Sequence, residues 1–246
     1  MTLSFLGRYQ TRNIAPLLIQ LAIIRGLPAF QESRPVNPGN PSTIEDFKAG
    51  DASRESYQRA TDLVAALQIS RGDWVADIGA GAGYYSMRLS EVVGPEGKVF
   101  AEDITDSAMR WLNARIKVFD LRNVEVVRGE PERPKLPANR LSATLIVDTY
   151  HHFANHQAML EKLLEALKPG GRLVIADYSF GEHRLQPRDA QLKLHEIDPQ
   201  MVRAEVSGAG FRILKWDDPF VPWKPGIGNT RANKTDMWLL VAVRPD

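Results

Sequence analysis

The feature that most restricts the fold is a regular alternation, from Glu55 onward, of short runs rich in β-branched and aliphatic residues with longer amphipathic stretches. Seven runs read as strands: "WVADIG" (74–79), "KVFAED" (98–103), "VEVVRG" (124–129), "ATLIVD" (143–148), "RLVIADY" (172–178), "FRILKW" (211–216) and "MWLLVAV" (237–243). A helical pattern with Tyr57, Ala60, Leu63, Val64 and Leu67 precedes the first run. Others follow at 84–93, 107–119, 156–167 and 199–207, with one weak connection at 131–139. Several runs are apolar at successive positions, which predicts a parallel sheet covered by helices on both faces. No helix separates the last two runs, so they predict an antiparallel terminal hairpin.

With 246 residues, 43% of them hydrophobic and 25% charged, the chain can bury one sizeable core. Lys and Arg number 31 against 30 Asp and Glu, a net charge of +1, so no overall field draws it to nucleic acid or anionic lipid, and no nucleic-acid partner is expected. The absence of cysteine excludes disulfides, thiolate nucleophiles and Cys-based zinc sites. Residues 14–24, "IAPLLIQLAII", follow Arg8 and Arg12 but contain Pro16 and Gln20, lack a small-x-small cleavage site and fall short of the about 20 apolar residues of a spanning helix. They read as an amphipathic helix docking on the domain, with a cytoplasmic protein expected and export the alternative. Residues 31–54, rich in Pro, Gly, Asn and Ser, read as an irregular linker. The expected division is an N-terminal extension over 1–54 and one domain over 55–246.

The stretch "VADIGAGAGYYS" carries the main chemical signal. Glycines between a first strand and a helix let a backbone approach a ligand and expose helix N-terminal amides. A dinucleotide loop spaces them G-x-G-x-x-G; here Gly79, Gly81 and Gly83 give G-x-G-x-G and Tyr84 takes the third slot. Asp77, two residues before the first glycine, would repel a pyrophosphate and attract an ammonium or sulfonium. Both observations turn away from a nicotinamide oxidoreductase.

That stretch is followed in order by "GKVFAEDITDSAM", "NVEVVRGE", "LIVDTYHHF" and "LKPGGRLVIADY". On these five pieces the chain resembles the class I S-adenosylmethionine-dependent methyltransferases, from about Glu55 to the C-terminus. The resemblance implies an α/β, Rossmann-like, seven-stranded, mostly parallel sheet, with S-adenosyl-L-methionine as cofactor and S-adenosyl-L-homocysteine as product. It implies that Asp77, Gly79, Gly81 and Gly83 lie against the methionine part of the cofactor. Asp103 would accept from both ribose hydroxyls, with Ile104 beside it, while Glu102 points to the opposite face. Glu130 stands where many members carry an Asp contacting the adenine amino group, and Asp148 closes the fourth strand at the reactive end. "LKPGGRL" needs only a structural account, Gly170 and Gly171 ending a helix and turning the chain into the fifth strand.

Methyl transfer from a sulfonium is an in-line displacement, so a protein chiefly positions the acceptor, and a base serves only an acceptor that must lose a proton. "DTYHHF" offers Asp148, Tyr150 and His151, and with His195 of "KLHEIDPQMV" these form the candidate catalytic set. Structural alternatives are capping or packing roles for His151 and His152, and a surface-loop role for His195. Asp148, His152 and His156 can be drawn as a metal triad, but "HFANH" has no carboxylate between its histidines, and no metal is expected. Thr149-Tyr150 in place of the Pro-Pro of nucleic-acid amino methyltransferases argues against base methylation. The N-terminal extension, 179–198 and the loop 217–236, with Trp216, Phe220 and Trp223, are candidate walls of an acceptor pocket. The expected acceptor is a small organic molecule. A protein acceptor and a non-catalytic cofactor-binding subunit are the alternatives, and a homodimer is compatible with the sequence.

Overall fold

The structure, a computed structural model, describes residues 41–224 and 235–246. The apolar stretch 14–24, the linker over 31–40 and the loop residues 225–234 lie outside the described residues. All seven predicted runs are strands of one sheet: β1 Trp74–Ile78, β2 Lys98–Asp103, β3 Val124–Arg128, β4 Leu141–Val147, β5 Leu167–Ser179, β6 Arg212–Val221 and β7 Asp236–Val243. Their order is β3-β2-β1-β4-β5-β7-β6. β1 pairs in parallel with β2 and β4, and β4 with β5, while β7 runs antiparallel to both β5 and β6. The terminal hairpin therefore folds back so that β7 is internal and β6 is the edge. The residues explain this: Met237–Val243 is buried throughout, whereas β6 alternates with charged positions that an edge tolerates.

Alternate strand residues feed two cores. Ala76, Ile78 and Ile175 pack with Leu160 and Leu163 of α5 (His156–Ala166) and Val202 and Val206 of α7 (Pro199–Gly208). Val75, Val99 and Val174 pack with Leu63 of α2 (Ala60–Ala66) and Leu89 and Val93 of α3 (Tyr84–Val93). Helices thus cover both faces, and the strand order reverses between β1 and β4, leaving a crevice at their C-terminal ends where open α/β sheets bind ligands.

Three local expectations change. The stretch 44–54, read as linker, belongs to helix α1 (Ile44–Gln58), opened by a capping box between Thr43 and Asp46. Its apolar positions are too sparse for periodicity to reveal it; it is held by Phe47, 2% exposed and edge-on to Trp111 and Phe119 of α4 (Asp106–Phe119). The weak connection at 131–139 is not helical but starts with a tight Glu130–Arg133 bridge. Gly170 (φ +73°) and Gly171 do not end the preceding helix, which stops at Ala166; they lie where the β4–β5 register shifts inside the strand. A short helix α6 (Arg188–Lys193) was not foreseen. No helix among the described residues is long and apolar enough to cross a membrane.

Candidate active site

The three loop glycines all adopt positive φ, +68° at Gly79, +56° at Gly81 and +77° at Gly83, which is why side chains are excluded there. Their surroundings differ. A Cβ on Gly79 would lie 2.2 Å from the Thr149 methyl, and one on Gly83 would lie 2.9 Å from Leu112 and 3.1 Å from Arg115. At Gly81 nothing lies within 4 Å, so this residue alone of the three presents its open side outward.

Acids surround the loop. Asp77 is buried, accepts a 2.6 Å hydrogen bond from Ser86 Oγ, and is pushed up to about 6 by burial, against the pull of that hydroxyl and of Arg54. Glu102 is buried beneath Gly79 and Gly129, and burial pushes its carboxyl up to about 8. Asp103 points the other way and accepts from Gly81 N at 3.0 Å and from Thr105 N at 2.9 Å. Ile104 beside it is 46% exposed, an apolar surface without cover at the same edge.

Helix α1 reaches this loop through buried polar groups. Arg115 of α4, 2% exposed, donates to both Asp51 carboxylate oxygens at 2.8 and 2.9 Å and to the Ala82 carbonyl at 2.5 Å. Gln58 donates to the Tyr178 hydroxyl at 3.3 Å and accepts from the Tyr85 hydroxyl at 3.0 Å. Between these anchors Arg54 lies 5.9 Å from the Tyr84 ring, close enough to act on Asp77. Arg54 fell within the presumed linker, so sequence reasoning missed it; the Thr43-x-x-Asp46 cap was the signal for its helix.

Beyond β4 the chain makes a 3₁₀ turn over Tyr150–His152 that sends adjacent side chains in opposite directions. His151, 1% exposed, is held by the buried Asp177 carboxylate, its Nδ1 at 2.9 and 3.0 Å and its backbone N–H donating at 3.1 Å. His152 and His195 turn their rings to it, with centroids 4.0 and 5.5 Å from that of His151. Asp148 (φ +55°) has a carboxylate oxygen within 4.8 Å of ligand atoms of both His151 and Asp177. His151 thus stands next to Asp148 on one side and next to His195 on the other. Tyr150 does not join them: it is fully buried in the opposite core and donates at 2.7 Å to Glu205 of α7, which corrects its place in the catalytic set. Glu130, exposed at the end of β3, pairs with Lys135 at 2.7 Å. His156 sits 3.4 Å from Glu205, so the Asp148–His152–His156 grouping does not form.

A 340 Å³ cavity opens at the C-terminal end of β5, between Tyr57, Arg59, Tyr178, Phe220, Trp223 and Met237. Phe220 and Trp223, two of the candidate wall residues, line this cavity. Trp216 does not, because it lies under the Arg203 guanidinium at 5.0 Å, on α7.

Residues 69–215 match the family model of the methyltransferase domain, more than half of the chain. The chain belongs to the class I S-adenosylmethionine-dependent methyltransferase family. The ubiquinone/menaquinone biosynthesis C-methyltransferase UbiE of Pseudomonas putida is 30% identical over 123 residues, 49% of this chain and 47% of that protein. The demethylmenaquinone methyltransferase of Listeria welshimeri is 27% identical over 113 residues, 46% of this chain and 48% of that protein. The match thus spans about half the length of these curated relatives. Among solved structures, an S-adenosylmethionine-dependent methyltransferase from Aquifex aeolicus shares the fold with a TM-score of 0.63, at 23% identity, over 81% of this chain and 97% of that one. The [4+2]-cyclase SpnF also shares it, with a TM-score of 0.63 at 13% identity, over 80% of this chain and 82% of that one. A methyltransferase fold by itself therefore leaves the reaction to the site residues. The candidate residues fall into a loop group, Asp77, Gly81 and Asp103, and a histidine group, His151, His152 and His195, with Thr149 of the turn after β4 packed on Gly79.

Proposed function

We propose that this methyltransferase transfers a methyl group from S-adenosylmethionine to a small organic molecule by in-line displacement. The observation that supports this reading is the contact of Thr149, which follows Asp148 and stands two residues before His151, with Gly79 of the glycine loop. The residues present fit the cofactor. Gly81 offers open backbone, Asp77 is a buried acid suited to an ammonium, and Arg54 is a cation suited to the carboxylate of the same amino-acid moiety. Asp103 has lone pairs left for ribose hydroxyls, and Ile104 offers a flat apolar contact for adenine. Glu130, half-exposed and paired with Lys135 at the surface, has its other carboxylate oxygen for the adenine amino group. The cofactor, when bound, supplies an activated methyl group on a sulfonium; the protein supplies position and the exclusion of water.

On the acceptor side, Asp148 takes a proton where the acceptor must lose one, and His151, fixed by Asp177, and His195 hold the acceptor's polar atom. The aromatic walls Tyr57, Tyr178, Phe220 and Trp223 suit a flat, largely apolar molecule, as do relatives named for quinone biosynthesis. The N-terminal extension and the 217–236 loop serve as its lid, and the work is done in the cytoplasm. Calorimetry with S-adenosylmethionine, followed by turnover assays with hydroxylated aromatics and with peptides, tests the reading. Replacing Asp148, His151 or His195 singly should lower turnover with cofactor affinity nearly unchanged. Equal loss of both would move them to the cofactor side, and turnover confined to peptides would replace the small-molecule acceptor.

A further inference from the structure

We propose that His151, His152 and His195 form a binding site for a divalent transition metal ion of the zinc, iron(II) or nickel class. The chain has only five histidines, and three of them, from two separate segments, converge here. One nitrogen from each lies within 4.8 Å of the others. The ring centroids are 4.0, 5.3 and 5.5 Å apart, and the planes meet at 52°, 74° and 89°, so the rings are tilted to one another instead of stacked. Three imidazole nitrogens at about 2.0–2.1 Å from one tetrahedral ion stand about 3.3 Å apart, so the rings must close inward to bind it.

Two further observations fit a ligand set. Asp177, itself fully buried, engages His151 Nδ1 at 2.9 Å and so directs Nε2 toward the cluster, the carboxylate–histidine pairing that orients metal ligands. His195 is held at φ +56°, a conformation a histidine adopts at a cost, and it is in this conformation that its ring reaches the other two. All three ligands being imidazoles, with no thiolate in the chain, selects borderline transition ions over Mg²⁺ or Ca²⁺. The three protein ligands leave coordination positions for an exchangeable molecule, and an ion here would hold and acidify a hydroxyl or carboxylate oxygen of the acceptor. That last role rests on the methyltransferase reading; the metal site itself rests on the histidines alone.

Cobalt(II) titrated into the tag-free full chain tests the site through its visible absorption, and equilibrium dialysis against Zn²⁺ gives the stoichiometry. Stoichiometric uptake and a cobalt band of low-coordinate intensity are expected, unaffected by Mg²⁺. His152→Ala and His195→Ala, at exposed positions that leave the cores intact, should abolish the band, while His183→Ala, outside the cluster, should retain it. Asp177→Asn should weaken binding by about 10- to 100-fold if it orients a ligand. Uptake below stoichiometry, displacement by Mg²⁺, or uptake unchanged in both His152→Ala and His195→Ala overturns the proposal. Calorimetry with S-adenosylmethionine on the same samples separates the two readings, because cofactor binding without metal uptake removes only the metal site, and metal uptake without cofactor binding removes only the methyltransferase assignment.

Discussion

The guanidinium of Arg115 grips the carboxylate of Asp51 with two hydrogen bonds of 2.8 and 2.9 Å while donating to Ala82, so one buried side chain ties the N-terminal helix to the glycine loop. Removing Asp51 leaves that cation 2% exposed and without its anion. Asp51→Ala should therefore cost about 3 kcal/mol in urea unfolding and also weaken S-adenosylmethionine binding, because Arg54 rides on the same helix. Lost stability with unchanged cofactor affinity would detach Arg54 from the site.

The loop glycines should not respond alike. Gly79→Ala combines a left-handed backbone with a collision against Thr149, whereas Gly81→Ala carries the backbone cost alone. We expect Gly81→Ala to lose about 1–2 kcal/mol of stability and Gly79→Ala clearly more. Cofactor affinity should fall in Gly81→Ala by more than its stability loss explains, because its Cβ occupies the open cradle. Thermal unfolding and calorimetry on both variants check the order.

Asp77 is a buried carboxyl whose ionisation opposes folding. Its carboxyl is raised from 3.8 to about 6 by burial, so the folded chain holds this proton more tightly than the unfolded chain. Stability from this group is present below pH 4 and is lost as pH rises through 6, a cost of roughly 3 kcal/mol at neutral pH. Asp77→Asn should accordingly stabilise the cofactor-free protein at pH 7.5, make little difference at pH 4, and abolish most cofactor affinity. Native affinity should likewise decline below pH 6, as Asp77 takes up its proton. Denaturation curves at the two pH values, with equal stabilities of both proteins at each, would contradict the assignment.

Neighbouring residues of the turn after β4 should separate by assay. Tyr150→Phe leaves Glu205 short of a donor inside the core and should cost about 1–3 kcal/mol of stability with turnover nearly native. His151→Ala should abolish most turnover. A Tyr150→Phe variant that is stable but inactive would return the phenol to the catalytic set.

Asp103→Ala removes a charged acceptor at the end of β2 that also receives Gly81 N–H and Thr105 N–H. Cofactor binding should weaken by about 1–3 kcal/mol, read by calorimetry, with acceptor selectivity unchanged.

Most of the fold was legible in the sequence because strand and helix periodicities are local. The seven apolar runs from "WVADIG" to "MWLLVAV" became β1 to β7, and the glycine spacing marked the loop with its positive φ values. α1 escaped notice because its docking depends on a few side chains, Phe47, Asp51 and Gln58, whose partners lie in distant segments.

By itself, then, the sequence determined the alternating sheet, its covered faces, the nucleotide-type loop and the acids at the strand ends, all set by residue spacing within single elements. Only the tertiary structure decided that β7 enters between β5 and β6, that Tyr150 pairs with Glu205 while His151 pairs with Asp177, and that His195 closes on His151 and His152. The physical reason is the same in each case. These relations join side chains through pairing, burial and charge across segments far apart in the chain, and such contacts exist only once the whole sheet has formed.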